Sequence, residues 1–301
     1  MGDVVGDLVE RRWPGRVRSV EPLANGITNT NFVVDLGDEK LVVRVPGRDT
    51  DLLGVNRANE VLVGRLVAGI GVGPEVVDLD EATGCLITRF IESRPVSPEE
   101  IAREPMLGEF VATLRRVHAA GPVAAHWDVE RVTRVNREAA AARGVVAPFD
   151  AERAFAVVER IFEVRPFRPT VLGHNDLLNA NFLYDGRLRI VDWEYAGMAD
   201  PFFDLANVAV NNGFSPDAER RLLGLYFGGV DDALLATMHL MKIVSQMREA
   251  MWGVVQMAIS SLDVDFAAYA SERGTHALAL ADEGDLDGRL ALAAALVRRQ
   301  P

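Results

Sequence analysis

Hydrophobic residues change their spacing part-way along this chain, and that change limits the fold more than any other feature. Between Val17 and Ile91 they alternate in short runs: VRSVEPL, NFVVDL, LVVRV, VVDL and CLITRFI. A period of two puts one face of each run inward and marks half-buried strands. Gly37-Asp38-Glu39 joins the second and third runs as a β-hairpin, and the turn-like Asp80-Glu81-Ala82-Thr83-Gly84 separates the last two. Residues 3–12 read as a short helix closed by Pro14, and Val61, Leu62 and Leu66 give Arg57–Ala68 a helical period.

Beyond Arg94-Pro95 the spacing is that of helices. Ser97 suits an N-cap, Pro98 the first helical position, and Glu100 the closing residue of a capping box. Met106, Leu107, Phe110, Val111, Leu114 and Val117 mark one apolar face, and further helices are expected over 129–143, 150–163, 201–212, 216–227, 231–262 and 283–299. The exception is NFLYDGRLRIVDW, residues 181–193, which reads as two short strands around Asp185-Gly186. The pattern predicts a bilobal α+β chain: a small antiparallel β lobe with an inserted helix over 1–91, a hinge at about 88–95, and a large mainly helical lobe over 96–301.

The 301 residues are 49% hydrophobic and 25% charged, enough to build sizeable cores and too apolar for a disordered chain. The single cysteine, Cys85, excludes an internal disulfide or a cysteine-based zinc site and points to a reducing, cytoplasmic setting. A net charge of −12 argues against a nucleic-acid partner, which needs a basic face. The most apolar stretch, Ala233–Leu262, carries Lys242, Arg248 and Glu249, so it reads as a long buried helix and no membrane insertion is expected. Met247, Met251 and Met257 read as gap-filling core within it. The start, MGDVVGDLVERR, has no signal-peptide pattern, and Gly6 stands where N-myristoylation requires Ser or Thr. Gly69-Ile70-Gly71-Val72-Gly73 imitates a dinucleotide fingerprint, but it follows a helix and precedes a strand, the reverse of the order that chemistry needs.

Chemistry concentrates in LGHNDLLNANFLYDGRLRIVDWEYAGMADPFFDLAN, residues 172–207. Asp176 follows His174 by two residues, Asn181 follows Asp176 by five, and after a hairpin Asp192 ends an apolar strand. The protein-kinase catalytic loop has the same Asp-to-Asn spacing and the same hairpin leading to a metal-binding Asp. Phosphoryl transfer uses a carboxylate to orient the acceptor hydroxyl and take its proton, and hard oxygen ligands for Mg²⁺. Taken singly, Asp and Asn beside short strands are ordinary turn residues; their order and spacing together point to this reaction. Upstream, Asn25-Gly26-Ile27-Thr28-Asn29-Thr30 lies where a phosphate-covering loop belongs, Arg44 sits on the third strand, and Glu60 lies on the following helix as its ion-pair partner.

HNDLLNANFL followed by RIVDWEYAGMADPFFDLAN resembles the choline/ethanolamine kinase family, within the aminoglycoside-phosphotransferase-like, protein-kinase-like kinases. LANGITNTNFVV, LVVRVPG, NRANEVLV and MWGVVQMAISSLDVDFAAYA extend the likeness over nearly the whole chain. The resemblance implies that Asp176 is the catalytic base and that Asn181 and Asp192 bind Mg²⁺. It implies that Arg44, paired with Glu60, contacts the phosphates of ATP beneath Asn25, Gly26, Thr28 and Asn29. It makes Thr88-Arg89-Phe90-Ile91 the hinge that receives adenine, and His174 and Asp204 the braces of the catalytic loop.

The acceptor implied is a small, cationic alcohol such as choline or ethanolamine. Aromatic faces attract a quaternary ammonium, and Tyr195, Trp252, Phe266 and Tyr269, with Trp193 nearby and Glu194 beside them, are the candidate lining. Leu178, Asn211, Asn212 and Val255 depart from the residues common in the family. They keep open another acceptor (thiamine, an aminoglycoside, a macrolide or a sugar); a non-catalytic nucleotide-binding module is the remaining alternative.

Overall fold

The computed structural model describes residues 2–23, 29–47, 54–260 and 262–299. The first lobe is a five-stranded antiparallel sheet of β1 (Ser19–Leu23), β2 (Thr30–Asp35), β3 (Lys40–Val45), β4 (Val76–Asp80) and β5 (Cys85–Arg89), in the order β1-β2-β3-β5-β4. Helix α1 (Gly2–Arg12) closes one face, where Val5, Leu8 and Val9 bury themselves against Val34, Leu41, Val43 and Ile87. Helix α2 (Arg57–Gly69) starts at Asn56, whose side chain accepts the Asn59 N–H. Gly64 lets this helix approach β4, since a Cβ there would stand 2.8 Å from Val76. Val63 and Val67 of α2 belong to the core of the second lobe, so the inserted helix joins the two halves. The Gly-rich run after α2 passes from helix to strand, with Gly71 at φ 70°, as the sequence requires.

The second lobe holds α3 (Pro98–Ile101), α4 (Met106–His118), α5 (Val129–Ala142), α6 (Ala151–Val164), α7 (Pro201–Asn211), α8 (Pro216–Phe227), α9 (Asp232–Ile259), α10 (Phe266–Asp282) and α11 (Leu286–Arg299). Helix α9 is the buried axis, packed against α5, α7, α10 and α11. Two small sheets interrupt the helices. The hairpin β8 (Phe182–Tyr184) and β9 (Leu188–Ile190) turns at Asp185-Gly186 and is extended by β6 (Arg94–Pro95). Strand β7 (Val171–Gly173) pairs antiparallel with β10 (Gly197–Ala199), Gly173 opposite Gly197. That pairing brings the loop leaving β7 beside the loop entering β10, and Asp176, Asn181, Asp192, Glu194 and Tyr195 lie on these two stretches.

Several expectations are corrected. Helix α10 was not anticipated: four of its six buried positions, Ala270, Gly274, Ala277 and Ala281, are small, so its apolar stripe is faint in the sequence. The preceding helix ends at Ile259 rather than 262, and the last begins at Leu286 rather than 283. Met247 and Met251 are core, but Met257 lies near the end of α9 and is 38% exposed. Ser97 Oγ caps the Glu100 N–H at 3.2 Å, yet the Glu100 carboxylate turns to Arg94 instead of closing the box. Among the described residues no helix is long and apolar enough to cross a membrane.

The crossing of α9 and α10 depends on Gly253, where a Cβ would meet Tyr269 Cδ1 at 3.0 Å and Ala270 Cβ at 3.1 Å. Gly253→Val should lower the unfolding free energy by about 1–3 kcal/mol, read as an earlier midpoint in urea; an unchanged midpoint would show that the crossing has slack.

Candidate active site

A cleft of about 680 Å³ opens between the sheet and the helical lobe. Its floor is the loop after β7. Asn175 there has φ 68° and Asp192 on the facing loop has φ 66°, the non-glycine residues with left-handed backbone among those described. Such conformations persist where surrounding bonds impose them. For Asn175 the imposing group is Asp204, in the first turn of α7, whose Oδ2 accepts the His174 N–H at 2.8 Å and whose Oδ1 accepts the Asn175 N–H at 2.7 Å. His118 Nε2 lies 3.0 Å from the same carboxylate. Burial alone would raise the Asp204 carboxyl, but hydrogen bonding and charge from His118 outweigh it and hold the group below its ordinary range.

His174 is fully buried, and burial keeps it neutral by pushing its pKa down. Its Nε2–H donates to the Val191 carbonyl at 3.0 Å, which fixes the tautomer and leaves Nδ1 to accept the Asp176 N–H at 3.2 Å. One ring thus ties the loop of Asp176 to that of Asp192. Asn207 Oδ1 accepts the Leu177 N–H at 2.5 Å, and Asn175 Nδ2 donates to the Tyr195 carbonyl at 3.0 Å.

Asp176, Asn181 and Asp192 all line the cleft. Asn181 Nδ2 donates to the Asp176 carbonyl at 2.9 Å, which leaves its Oδ1 as the unused donor atom. One amide oxygen and one carboxylate suit Mg²⁺, a cation held by few protein oxygens with phosphate oxygens completing its shell. The described residues contain no group of three His, Cys, Asp or Glu that could hold a metal ion. Burial pushes the Asp176 carboxyl up to about 8, against the opposing pull of Arg248.

On the roof, Arg44 from β3 forms an ion pair with Glu60 of α2 and reaches across the cleft to Asp192 Oδ1 at 2.7 Å. Arg57 bridges Glu60 Oε2 at 2.8 Å and Glu194 Oε2 at 3.2 Å. Asn29 Nδ2 donates to Glu194 at 2.9 Å, so the described end of the candidate phosphate loop is anchored to the second lobe. Asn25, Gly26 and Thr28 lie outside the described residues. Thr88, Arg89, Phe90 and Ile91 line the far wall, although the Arg89 and Phe90 N–H groups are engaged by the Glu75 and Lys40 carbonyls.

The acceptor candidates divide. Tyr195 and Trp252 line the cleft with Trp193, and Trp252 Nε1 donates to Tyr195 Oη at 3.1 Å. Phe266 and Tyr269 stand behind Trp252 as edge-on neighbours at 5.8 and 5.6 Å and do not line it. Glu194 is likewise outside the lining, spent on Asn29 and Arg57. Of the four departing positions, Leu178 lines the cleft, whereas Asn211, Asn212 and Val255 do not.

A family model described as the phosphotransferase enzyme family matches residues 19–239. The chain belongs to that family. A crystal structure of a choline/ethanolamine kinase family protein from Mesorhizobium loti superposes with a TM-score of 0.79, is 29% identical, and covers 98% of this chain and 100% of that one. Ethanolamine kinase 2 from Homo sapiens is 27% identical over 294 residues, 85% of this chain and 74% of the relative. Protein LicA from Haemophilus influenzae is 29% identical over 209 residues, 67% of this chain and 60% of LicA, so the match spans less than two thirds of that protein.

For a phosphotransferase, the residues that sequence reading passed over are the connectors. Arg57, Asn175 and Asn207 lie within the quoted segments without a role assigned to them there, and His118 lies outside those segments; their part is visible only in their bonds. Arg248 and Glu249 looked like interruptions of an apolar helix; both line the cleft. The connector with most at stake is Asp204. Asp204→Ala would strand two buried backbone N–H groups and His118, so a loss of about 3 kcal/mol or more is expected, measured by urea unfolding; a loss under about 1 kcal/mol would mean that water replaces the carboxylate.

Proposed function

We propose that this phosphotransferase is a kinase that moves the γ-phosphoryl group of ATP, with Mg²⁺, to the hydroxyl of a small amino alcohol, choline or ethanolamine. The observation that carries the reading is the shared cleft: Asp176, Asn181 and Asp192 on its floor, Arg44 with Glu60 on its roof, and Tyr195 and Trp252 beside Asp176. In this reading residues 1–91 hold the nucleotide, 88–95 form the hinge, and 96–301 carry the catalytic and acceptor groups.

Adenine enters between the apolar side chains of Leu23, Val42, Leu86 and Leu183, against the strand edge at Thr88–Ile91. Arg44, oriented by Glu60, faces the phosphates, and its present partner Asp192 yields it to them. Asn181 and Asp192 hold Mg²⁺, which when bound neutralises charge on the phosphate oxygens. Asp176 accepts a hydrogen bond from the acceptor hydroxyl and takes its proton as the new O–P bond forms and the bond to the leaving diphosphate breaks. Tyr195 and Trp252 offer ring faces and edges to the ammonium end. The departures at 211, 212 and 255 bear less on acceptor choice than the sequence suggested, because those side chains stand off the cleft. The M. loti and human relatives, named for choline and ethanolamine, support the same acceptor class.

Nucleotide consumption over a panel of amino alcohols, thiamine, aminoglycosides and sugars tests the reading; turnover confined to the last three groups would overturn it. Asp176→Asn should lower kcat by two or more orders of magnitude, roughly the contribution of a positioned base, with little change in nucleotide affinity. Because burial raises the Asp176 carboxyl to about 8 and only the ionised form accepts a proton, kcat/KM for the acceptor should climb with pH and level off above about 8. A profile that falls over the same range would exclude Asp176 as the base.

A further inference from the structure

Two charges in the middle of α9 have no part in the steps above. The Arg248 and Glu249 side chains are each 2% exposed, in a stretch of helix otherwise filled by Met247, Met251 and Val254. A buried charge is retained only where it is paired, and the pairs here are informative. Arg248 Nη1 donates to Glu249 Oε1 at 2.5 Å and to Asp176 Oδ1 at 3.2 Å. The guanidinium also lies over the Tyr195 ring, Cζ 4.5 Å from its centroid, with Trp127 at 5.6 Å. Glu249 is fixed in turn by Tyr269, whose hydroxyl donates to Oε2 at 2.7 Å. One cation therefore touches the carboxylate that takes the proton and the ring that faces the acceptor, and it comes from a helix to which neither belongs.

We propose that Arg248 is a positioning residue for phosphoryl transfer: it sets the Asp176 carboxylate and the Tyr195 ring in register, and Glu249 aims it. The proposal rests on the kinase reading for the step it serves. A guanidinium suits the task because its plane can stack on a ring while N–H groups at its edge reach carboxylates; an ammonium cannot do both. With Asp176 ionised, the form that accepts the proton, Asp176, Glu249 and Arg248 together carry one net negative charge, so a cationic acceptor brings the group to neutrality without displacing the arginine. Without Arg248, Asp176 and Glu249 lose the cation that both carboxylates contact, and nothing on α9 holds Asp176 Oδ1 in place. Nucleotide contacts, which run through Arg44 and the far wall, are untouched.

The experiment compares wild type, Arg248→Ala and Arg248→Lys with the best amino alcohol. Arg248→Ala should lose about a hundredfold in kcat, the scale of a misplaced reacting group, with nucleotide KM within about threefold of wild type. Added guanidinium ion should restore part of that kcat in a saturable way. Arg248→Lys, which keeps the charge and loses the stack, should also stay well below wild type. Wild-type kcat in either variant overturns the proposal, as does a loss seen only in nucleotide KM. Should the alanine variant fail to fold, by circular dichroism, the lysine variant alone decides by the same criterion. Crystal structures of the folded variant and wild type are read independently of turnover: a displaced Asp176 carboxylate or Tyr195 ring supports the proposal, and an unmoved pair overturns it. If wild type consumes nucleotide with no acceptor, the kinase reading fails, and the positioning role is still judged by those two structures.

Discussion

Everything at the floor of the cleft depends on the Asp204 carboxylate receiving the N–H groups of His174 and Asn175. A loop carrying a left-handed asparagine does not hold its shape by local preference. Two backbone donors converging on one buried, ionised acceptor supply charge-assisted bonds in a low-dielectric setting, where they are strongest. From that anchor the geometry propagates: His174 faces Val191 and the Asp176 N–H, Asn175 holds the Tyr195 carbonyl, and Asn181 holds the Asp176 carbonyl. Asp176, Asn181, the loop of Asp192 and the Tyr195 backbone are thus tied to a single point on α7.

Charge alternation performs the corresponding task between the lobes. Arg57, Glu60, Arg44 and Asp192 form a chain of opposite signs from α2 through β3 to the catalytic lobe, with Glu194 closing it back to Arg57. Each charge has a partner, so none is left unpaired in the partly buried cleft. Within the chain Arg44 and Asp192 neutralise each other across the cleft, and these are the two groups that the proposed function assigns to phosphate and metal. In the proposed function the Arg44 guanidinium on the roof meets the phosphates, and the group of Asp176, Glu249 and Arg248 on the other side of the cleft suits a cation.

The lobes and most of their elements were legible because they rest on local rules. Period-two alternation marked β2, β3 and β5, the helical period marked α4 and α9, and Ser97 and Pro98 marked a helix start; all are properties of a few neighbouring residues. Helix α10 was not legible, because four of its six buried positions are Ala or Gly and carry little hydropathy signal, and its crossing of α9 turns on the absent side chain of Gly253. In the site, Asp176, Asn181 and Asp192 could be read from spacing, since a loop and a hairpin of fixed length carry them to one cleft. Phe266 and Tyr269 could not be told from lining residues, because aromatic character does not reveal which ring stands in front.

The sequence by itself determined the two-lobed architecture, the phosphotransferase family and the groups available for the chemistry, because periodicity and motif spacing are written along the chain. Tertiary structure alone decided the partners of those groups: Arg44 with Asp192, 148 residues apart; Arg57 with Glu194, 137 apart; and Arg248 with Asp176, 72 apart. The physical reason is range. Backbone preference and hydrophobic period act over a few residues, whereas pairing of buried charges depends on which helices and strands the completed core brings within about 3 Å of each other.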